Sequence, residues 1–529
     1  MPGSEDSSTF YELATDPTLE DTMAPEVDVE RLLFRRQYVL GPRPYERFAF
    51  WKRVAIRRDL FLTAHPDLHI EQVIAGGKSL TLLGFILDSR NPKSEDATVL
   101  EAIFPELCSG SDPRLSLQCT NPLGGRWILI VDDGVRITLA GDALGQRPIY
   151  YNCQPVHGET WCGSQPGVIA EILQLAPSQQ AKDFREAQIA AGQIEWWYPN
   201  DLSAYDEIKL VLPNHYLNLH SARTQRFWPR QRLTRIGVRR AAKEGARIIK
   251  ALLAGAAKRF PLGALITAGW DSRVVFAATK DLESEVNYVT FVTQASQSGN
   301  PDIDVPARLL PKFGKAHHLL RIPEAMHPAF AELFRQNVTP AHESYGALTQ
   351  ALYEDGQTFG VRVSGGGSET VRQQLRPAGY EYERVTPDTL SRFAKARNEF
   401  AIAAFSQWLS GIPANLDYDL LDLFYWEQKC GQWLAVGQVE LDLGPESFTP
   451  YSCRTLLETL LATHRDYRLG PDYELYRVML TELSAAVLIE PINPHKGAWK
   501  PARKRRIRRA LVRLHVREYI PDLLLDIAR

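Results

Sequence analysis

Hydrophobic and polar positions follow one pattern over residues 30–220 and another from residue 237 onward. In the first stretch, short apolar runs are separated by turn signals. Residues 80–88 (LTLLGFILD), 126–132 (RWILIVD), 135–140 (VRITLA) and 148–152 (PIYYN) predict strands. Asp132-Asp133-Gly134, between two of these runs, predicts a hairpin turn. Residues 208–219 (IKLVLPNHYLNL) predict another pair of strands broken at Pro213-Asn214, while 95–107 and 167–175 predict short helices. An antiparallel α+β domain is the expectation for this half.

Over 238–260 the apolar residues Ala242, Ala246, Ile249, Leu253, Ala256 and Ala257 recur three or four positions apart, which predicts a helix face. An apolar run at 262–266 then meets the polar turn Thr267-Ala268-Gly269-Trp270-Asp271-Ser272, and a helical segment follows at 273–280. Strand signals recur at 287–292, 318–321 and 359–363, with helical segments at 305–310 and 328–336. Strands alternating with helices imply a parallel, doubly wound sheet. The remainder, from about 385 to 529, reads as largely helical. The expected class is therefore α/β. A flexible tail at 1–28 precedes an antiparallel α+β sandwich at 29–228 and a doubly wound parallel-sheet domain at 229–529 with a helical C-terminal part.

Composition adds exclusions rather than a new picture. The 529 residues are 44% hydrophobic and 23% charged, as in an ordinary globular chain. Lys and Arg number 61 against 63 Asp and Glu, a net charge of −2, which argues against a general polyanion binder. No run of 18 apolar residues predicts a membrane span. The N-terminal stretch is acidic and polar, unlike a signal peptide. Six cysteines (Cys108, Cys119, Cys153, Cys162, Cys430, Cys453) form no Cys-x-x-Cys pair, so neither a zinc site nor a disulfide framework is indicated. A cytoplasmic location is the expectation. The basic run 503–509 (RKRRIRR) spreads its charge around a helix. It suits attraction of an acidic substrate or leader peptide better than reading a nucleic-acid groove.

Two turns carry candidate chemistry. A strand, a small-residue turn and a helix N-terminus together present backbone N–H groups to an anion. In the turn 267–272, Thr267 and Ser272 add hydroxyl donors, and Asp271 adds a carboxylate suited to Mg²⁺ beside phosphate oxygens. The turn Ser364-Gly365-Gly366-Gly367-Ser368-Glu369 also follows an apolar strand. Its three glycines let backbone approach a ligand, and Glu369 supplies a hard oxygen ligand. The first turn resembles the Ser-Gly-Gly-x-Asp-Ser pyrophosphate loop of ATP pyrophosphatases such as asparagine synthetase. Ala268 replaces its first glycine, which requires a negative φ there. The second resembles the Ser-Gly-Glu-Gly-Ser-Asp-Glu turn of asparagine synthetases. Gly366 stands in the glutamate's place, Glu369 in the aspartate's, and Thr370 follows. Residues 493–501 (NPHKGAWKP) are similar to the family's Arg-x-Lys-x-x-Phe segment. This puts Lys496 on the lysine that stabilises charge as an acyl-adenylate forms and collapses. Pro494 takes the arginine's place, and Lys500 is the alternative.

The first half is similar to the amidotransferase domain of the same family. The resemblance rests on Gly124-Gly125-Arg126-Trp127, on residues 141–151 (GDALGQRPIYY), on 161–165 (WCGSQ), and on Arg226-Phe227-Trp228-Pro229 at the linker. It thus runs from about residue 60 to 510. In glutamine-dependent members an N-terminal cysteine attacks glutamine with its own α-amine as base. This sequence opens Met1-Pro2-Gly3-Ser4, and its first cysteine is Cys108. A retained fold without glutaminase activity is expected, as in β-lactam synthetases and lasso-peptide cyclases.

The resemblance implies an ATP-dependent ligase. Phosphates would lie on Thr267, Ala268, Gly269, Ser272 and Gly365 to Gly367, with Mg²⁺ on Asp271 and Glu369. A substrate carboxylate would be adenylated with release of pyrophosphate, and an amine would then give the amide and AMP. β-Lactam synthetases deprotonate the amine with a Tyr–Glu pair, for which Glu427 and Tyr345 are the candidates. Asp304 is either a site acid or a favourable charge at a helix N-terminus. His317 and His318 read as packing or surface residues. The carboxylate and amine are small molecules or peptides. Free ammonia, or ammonia from a partner glutaminase, stays open as the nucleophile. So do a lasso-peptide-type macrolactam cyclase and a non-catalytic scaffold that keeps the fold.

Overall fold

The computed structural model describes residues 29–494, apart from 157, 294–298, 339–340, 356–358, 376–383 and 415. The expected tail 1–28, the candidate lysines Lys496 and Lys500 and the basic run 503–509 lie outside the described residues.

Twelve strands build the first half: β1 (Tyr38–Gly41), β2 (Lys52–Arg57), β3 (Leu60–Ala64), β4 (Ile70–Ala75), β5 (Lys78–Asp88), β6 (Leu123–Asp132), β7 (Ile137–Gly141), β8 (Tyr150–Asn152), β9 (Cys162–Gly163), β10 (Ile208–Leu210), β11 (His215–Asn218) and β12 (Arg223–Arg226). They form two antiparallel sheets, β10-β8-β9-β1-β3-β2 and β12-β11-β7-β6-β5-β4. Between the sheets lies a core of Tyr38, Leu40, Leu62, Leu83, Ile128, Ile130, Leu139, Tyr151 and Leu217. The opposite face of β5 and β6 (Leu80, Leu82, Trp127, Leu129, Val131) belongs to a second core shared with the helices Asp96–Leu107 and Val238–Arg259. Burial on both faces explains why β5 and β6 read as continuous apolar runs rather than alternating ones. The predicted hairpin joins β6 to β7. The pair expected over 208–219 does not pair with itself. β10 joins β8 in one sheet and β11 joins β7 in the other, so Pro213-Asn214 is a crossing between sheets.

The second half is a five-stranded parallel sheet of β13 (Leu262–Leu265), β14 (Val286–Val292), β15 (His317–Arg321), β16 (Val361–Val363) and β17 (Glu446–Phe448). Its order is β15-β14-β13-β16-β17. The helix Val238–Arg259 leads into it with its predicted stripe of alanines, Ile249 and Leu253 buried. The two halves share one apolar core, with Phe85 of β5 edge-on to Phe448 of β17, ring centroids 5.7 Å apart. Ion pairs also cross between them. Arg126 meets Asp442 in a two-pronged pair at 2.6 and 2.7 Å, with both side chains fully buried. Arg147 pairs with Glu446, and Arg226 with Glu427. Among the described residues no helix is long and apolar enough to cross a membrane.

Candidate functional site

Strand order in the parallel sheet reverses at β13. The chain runs outward through β14 and β15, then returns to the other side of β13 as β16. In open α/β sheets the crevice at the carboxyl ends of the strands flanking such a reversal is where ligands bind. Both turns singled out in the sequence sit there, one after β13 and one after β16.

The first turn enters the helix Trp270–Thr279, with Gly269 as its N-cap at φ −74°. Ala268 is not among the residues with positive φ, which is the condition its substitution for glycine required. Internal hydrogen bonds fix the turn. Thr267 N–H donates to Ser272 Oγ (3.1 Å), Gly269 N–H to Thr267 Oγ1 (3.1 Å), and the two hydroxyls lie 3.1 Å apart. Ala268 N–H donates to Asp302 Oδ1 at 3.0 Å. Buried Arg273 anchors the helix to the chain downstream, donating to the carbonyls of Val487, Glu490 and Pro491. Asn493 N–H reaches Ala268 O at 3.0 Å. The segment leading to Lys496 is thus docked on the turn.

The second turn packs directly against the first. A Cβ on Gly365 would stand 2.5 Å from Asp271 Cβ, so only glycine allows this approach. Gly367 has φ +85° and lies under Leu144 of the first half. Leu434 covers Gly366. Ser368 Oγ–H donates to Asp271 Oδ1, and Arg372 Nη2 donates to Asp271 Oδ2 at 2.6 Å. The same Nη2 lies 3.3 Å from Glu369 Oε1. Burial, opposed by Arg372 and reinforced by Glu369, pushes the Asp271 carboxyl up to about 7. Two carboxylates converging on one cation are the hard oxygen donors that a divalent ion takes. Asp271 and Glu369 are thus the residues that could hold a divalent ion, and Arg372 stands at the point where they meet.

Two expected residues are corrected. Glu427 is not a base facing a substrate. It is fully buried in the π-helical stretch Tyr425–Leu434 and clasped by Arg226 through both oxygens. Trp408 Nε1 (2.9 Å) and Asn214 Nδ2 (3.2 Å) also donate to it. Although burial acts the other way, Arg226 holds its carboxyl below the ordinary glutamate range. Tyr345 packs its ring against His342 and Trp433, with centroids 5.8 and 6.4 Å away. Burial, with Glu195 and Glu440, pushes its phenol up, away from a base's range. Asp304 lies in the helix Pro301–Leu309, but Asp302, two residues earlier, makes the bond to the turn. His317 Nε2 meets Thr290 Oγ1 at 2.8 Å, a packing role.

Sequence reasoning missed Arg372 and Asp302. For Arg372 a signal existed, three residues beyond Glu369 on the same short turn. Asp302 offered none beyond being one acid in PDID.

The chain enters β1 from a short helix. The helix Val29–Leu32 and a turn precede it, with Gln37 N–H on Phe34 O at 3.0 Å.

No family model matches this chain, and no curated protein is detectably similar to it. Among solved structures, one titled as the allosteric regulatory enzyme of purine biosynthesis matches at 9% identity and a TM-score of 0.22, over 57% of this chain and 78% of that one. Glutamine phosphoribosylpyrophosphate amidotransferase from B. subtilis, complexed with ADP and GMP, matches at 9% identity and a TM-score of 0.21, over 55% of this chain and 61% of its own.

Proposed function

We propose that this chain is an ATP-dependent carbon–nitrogen ligase that adenylates a substrate carboxylate, releases pyrophosphate and joins the acyl group to an amine. One observation carries the proposal. Two glycine-bearing turns meet at the strand-order reversal of a parallel sheet, and their carboxylates, Asp271 and Glu369, converge on a single cation. A turn at a helix N-terminus suits a phosphate, and Thr267, Ser272 and Ser368 add hydroxyls beside it. Asp271 and Glu369 would hold Mg²⁺, which neutralises phosphate charge when bound. A carboxylate is a poor electrophile, so amide formation in water needs the activation that an acyl-adenylate supplies. The residues here would orient the acyl-adenylate and exclude water from it until the amine attacks. Lys496 is the proposed charge stabiliser. The first cysteine of the sequence, Cys108, is buried in the apolar core, which supports a first half without glutaminase activity, the amine being carried by the second substrate.

A non-catalytic scaffold is the second reading. It is favoured by the site's own charges, Arg372 and Asp302, lying where a ligand's charges would. Calorimetry with a non-hydrolysable ATP analogue and Mg²⁺ separates the two. Micromolar binding that Asp271→Ala abolishes, followed by substrate-dependent pyrophosphate release, is the ligase result. A folded wild type that binds no nucleotide overturns it in favour of the scaffold.

A further inference from the structure

Arg372 joins the two carboxylates that a divalent ion would bridge. Its Nη2 is 2.6 Å from Asp271 Oδ2 and 3.3 Å from Glu369 Oε1. Its side chain is only 11% exposed, and its guanidinium carbon lies 5.6 Å from the centre of the Tyr473 ring. Backbone bonds from Arg372 N–H to the carbonyls of Ser368 and Glu369 hold it on the same turn as Glu369. On the other side of the first turn, Asp302 Oδ1 takes the Ala268 N–H at 3.0 Å. A phosphate oxygen received by this turn would compete for that N–H. Both charges of a metal–phosphate ligand are thus already present as side chains, the cation as Arg372 and the anion as Asp302.

We propose that Arg372 is an internal placeholder for the divalent cation, displaced only when the metal arrives together with a polyphosphate that accepts the guanidinium. A divalent ion alone would have to expel Arg372 from the two carboxylates that already neutralise it. A di- or triphosphate supplies another anion, with a planar fork matched to phosphate oxygens. Metal and phosphate therefore bind with positive coupling, each tightening the other by the same factor. This rests on the assignment of Asp271 and Glu369 to the nucleotide site and adds the order of events there. The ligand class is a divalent cation with an inorganic or nucleoside polyphosphate.

The test is Mn²⁺ uptake by the full chain, measured as protein-bound Mn²⁺ by equilibrium dialysis with and without inorganic pyrophosphate, since pyrophosphate alone also removes the free ion. Wild type is expected to bind Mn²⁺ at least about tenfold more tightly with pyrophosphate present, within the usual range of such couplings. Arg372→Gln is expected to bind Mn²⁺ alone about tenfold more tightly than wild type and to lose most of the pyrophosphate effect. Arg372→Lys keeps the charge but not the fork, so it should bind Mn²⁺ alone close to wild type and show a smaller pyrophosphate effect. Equal Mn²⁺ affinity in wild type with and without pyrophosphate overturns the inference, and that measurement needs no variant to fold. Unchanged Mn²⁺ affinity in a folded Arg372→Gln protein overturns it as well. Either result leaves the nucleotide site standing if Asp271→Ala still abolishes uptake. No uptake in any combination removes the nucleotide site and the placeholder together.

Discussion

Glu427→Gln distinguishes a catalytic carboxylate from a structural one. In the wild type four donors reach this group: Arg226 Nη1 and Asn214 Nδ2 on Oε1, Arg226 Nη2 (2.7 Å) and Trp408 Nε1 on Oε2. Glutamine keeps one acceptor and turns an NH₂ group toward donors that then lack a partner. Arg226, 11% exposed at its side chain, is left as a nearly buried charge without its counter-ion. Breaking such a pair from one side costs about 3–5 kcal/mol. At roughly 2–4 °C per kcal/mol for a large domain, Tm should fall on the order of 10 °C. The wild-type contribution is present above the ordinary glutamate range and lost as pH falls below it, because Arg226 keeps the folded carboxyl lower than the unfolded one. Scanning calorimetry at pH 7 measures the loss directly. The double change Glu427→Leu with Arg226→Met should recover most of it, since matched apolar replacement of a buried pair is often near neutral. A Glu427→Gln protein that melts like wild type and yet loses amide formation would refute the structural assignment and restore Glu427 as a base.

Three further outcomes follow from the same geometry. Gly365→Ala sets a Cβ 2.5 Å from Asp271 Cβ; it should weaken binding of an Mg²⁺·ATP analogue at least about tenfold by calorimetry, at a stability cost of about 1–3 kcal/mol, and unchanged affinity would show that the turns separate freely. Leu144→Ala removes a fully buried side chain from above Gly367; urea unfolding should show a loss of about 2–5 kcal/mol, with weaker nucleotide binding although Leu144 belongs to the other half. Burial first, and then Arg226, holds His215 down to about 4, so its contribution is present above the unfolded range near 6.5 and lost as pH falls between the two. His215→Gln should flatten the stability profile across pH 6.5–4 by up to about 3 kcal/mol, and a slope identical to wild type would contradict this.

Local periodicity made the long elements legible. The stripe on Val238–Arg259 and the apolar runs of β5 and β6 lie within single stretches of chain. β17 was hidden, since three residues, Glu446–Phe448, inside a helical region become a strand only by pairing with β16, more than 80 residues away. The half-exposed β4 and the mostly exposed β2 likewise carry little apolar signal. At the site, each glycine turn was readable because its glycines, hydroxyls and carboxylate are contiguous. Arg372 and Asp302 gain their roles only when the turns meet, 101 and 34 positions apart in sequence. Glu427 misled for the same reason, because its partner Arg226 comes 201 residues earlier, in a segment that sequence similarity marks as a linker.

The antiparallel half is part of the candidate site rather than an attachment to it. The turn 141–146 inserts into the second half. Trp426 Nε1 donates to Ala143 O (2.6 Å), Ser452 Oγ to Asp142 Oδ1 (2.6 Å), and Arg454 Nη2 to the carbonyls of Gly141 and Asp142. Leu144, at the apex of that turn, rests on Gly367 of the second glycine turn. Its removal with the first half would leave the positive-φ glycine uncovered. Asp442 and Glu427 would remain as buried carboxylates without Arg126 and Arg226, and an unpaired buried charge costs several kcal/mol. The second half needs the first for its shape, independently of any chemistry the first performs, because the second glycine turn is formed against that surface.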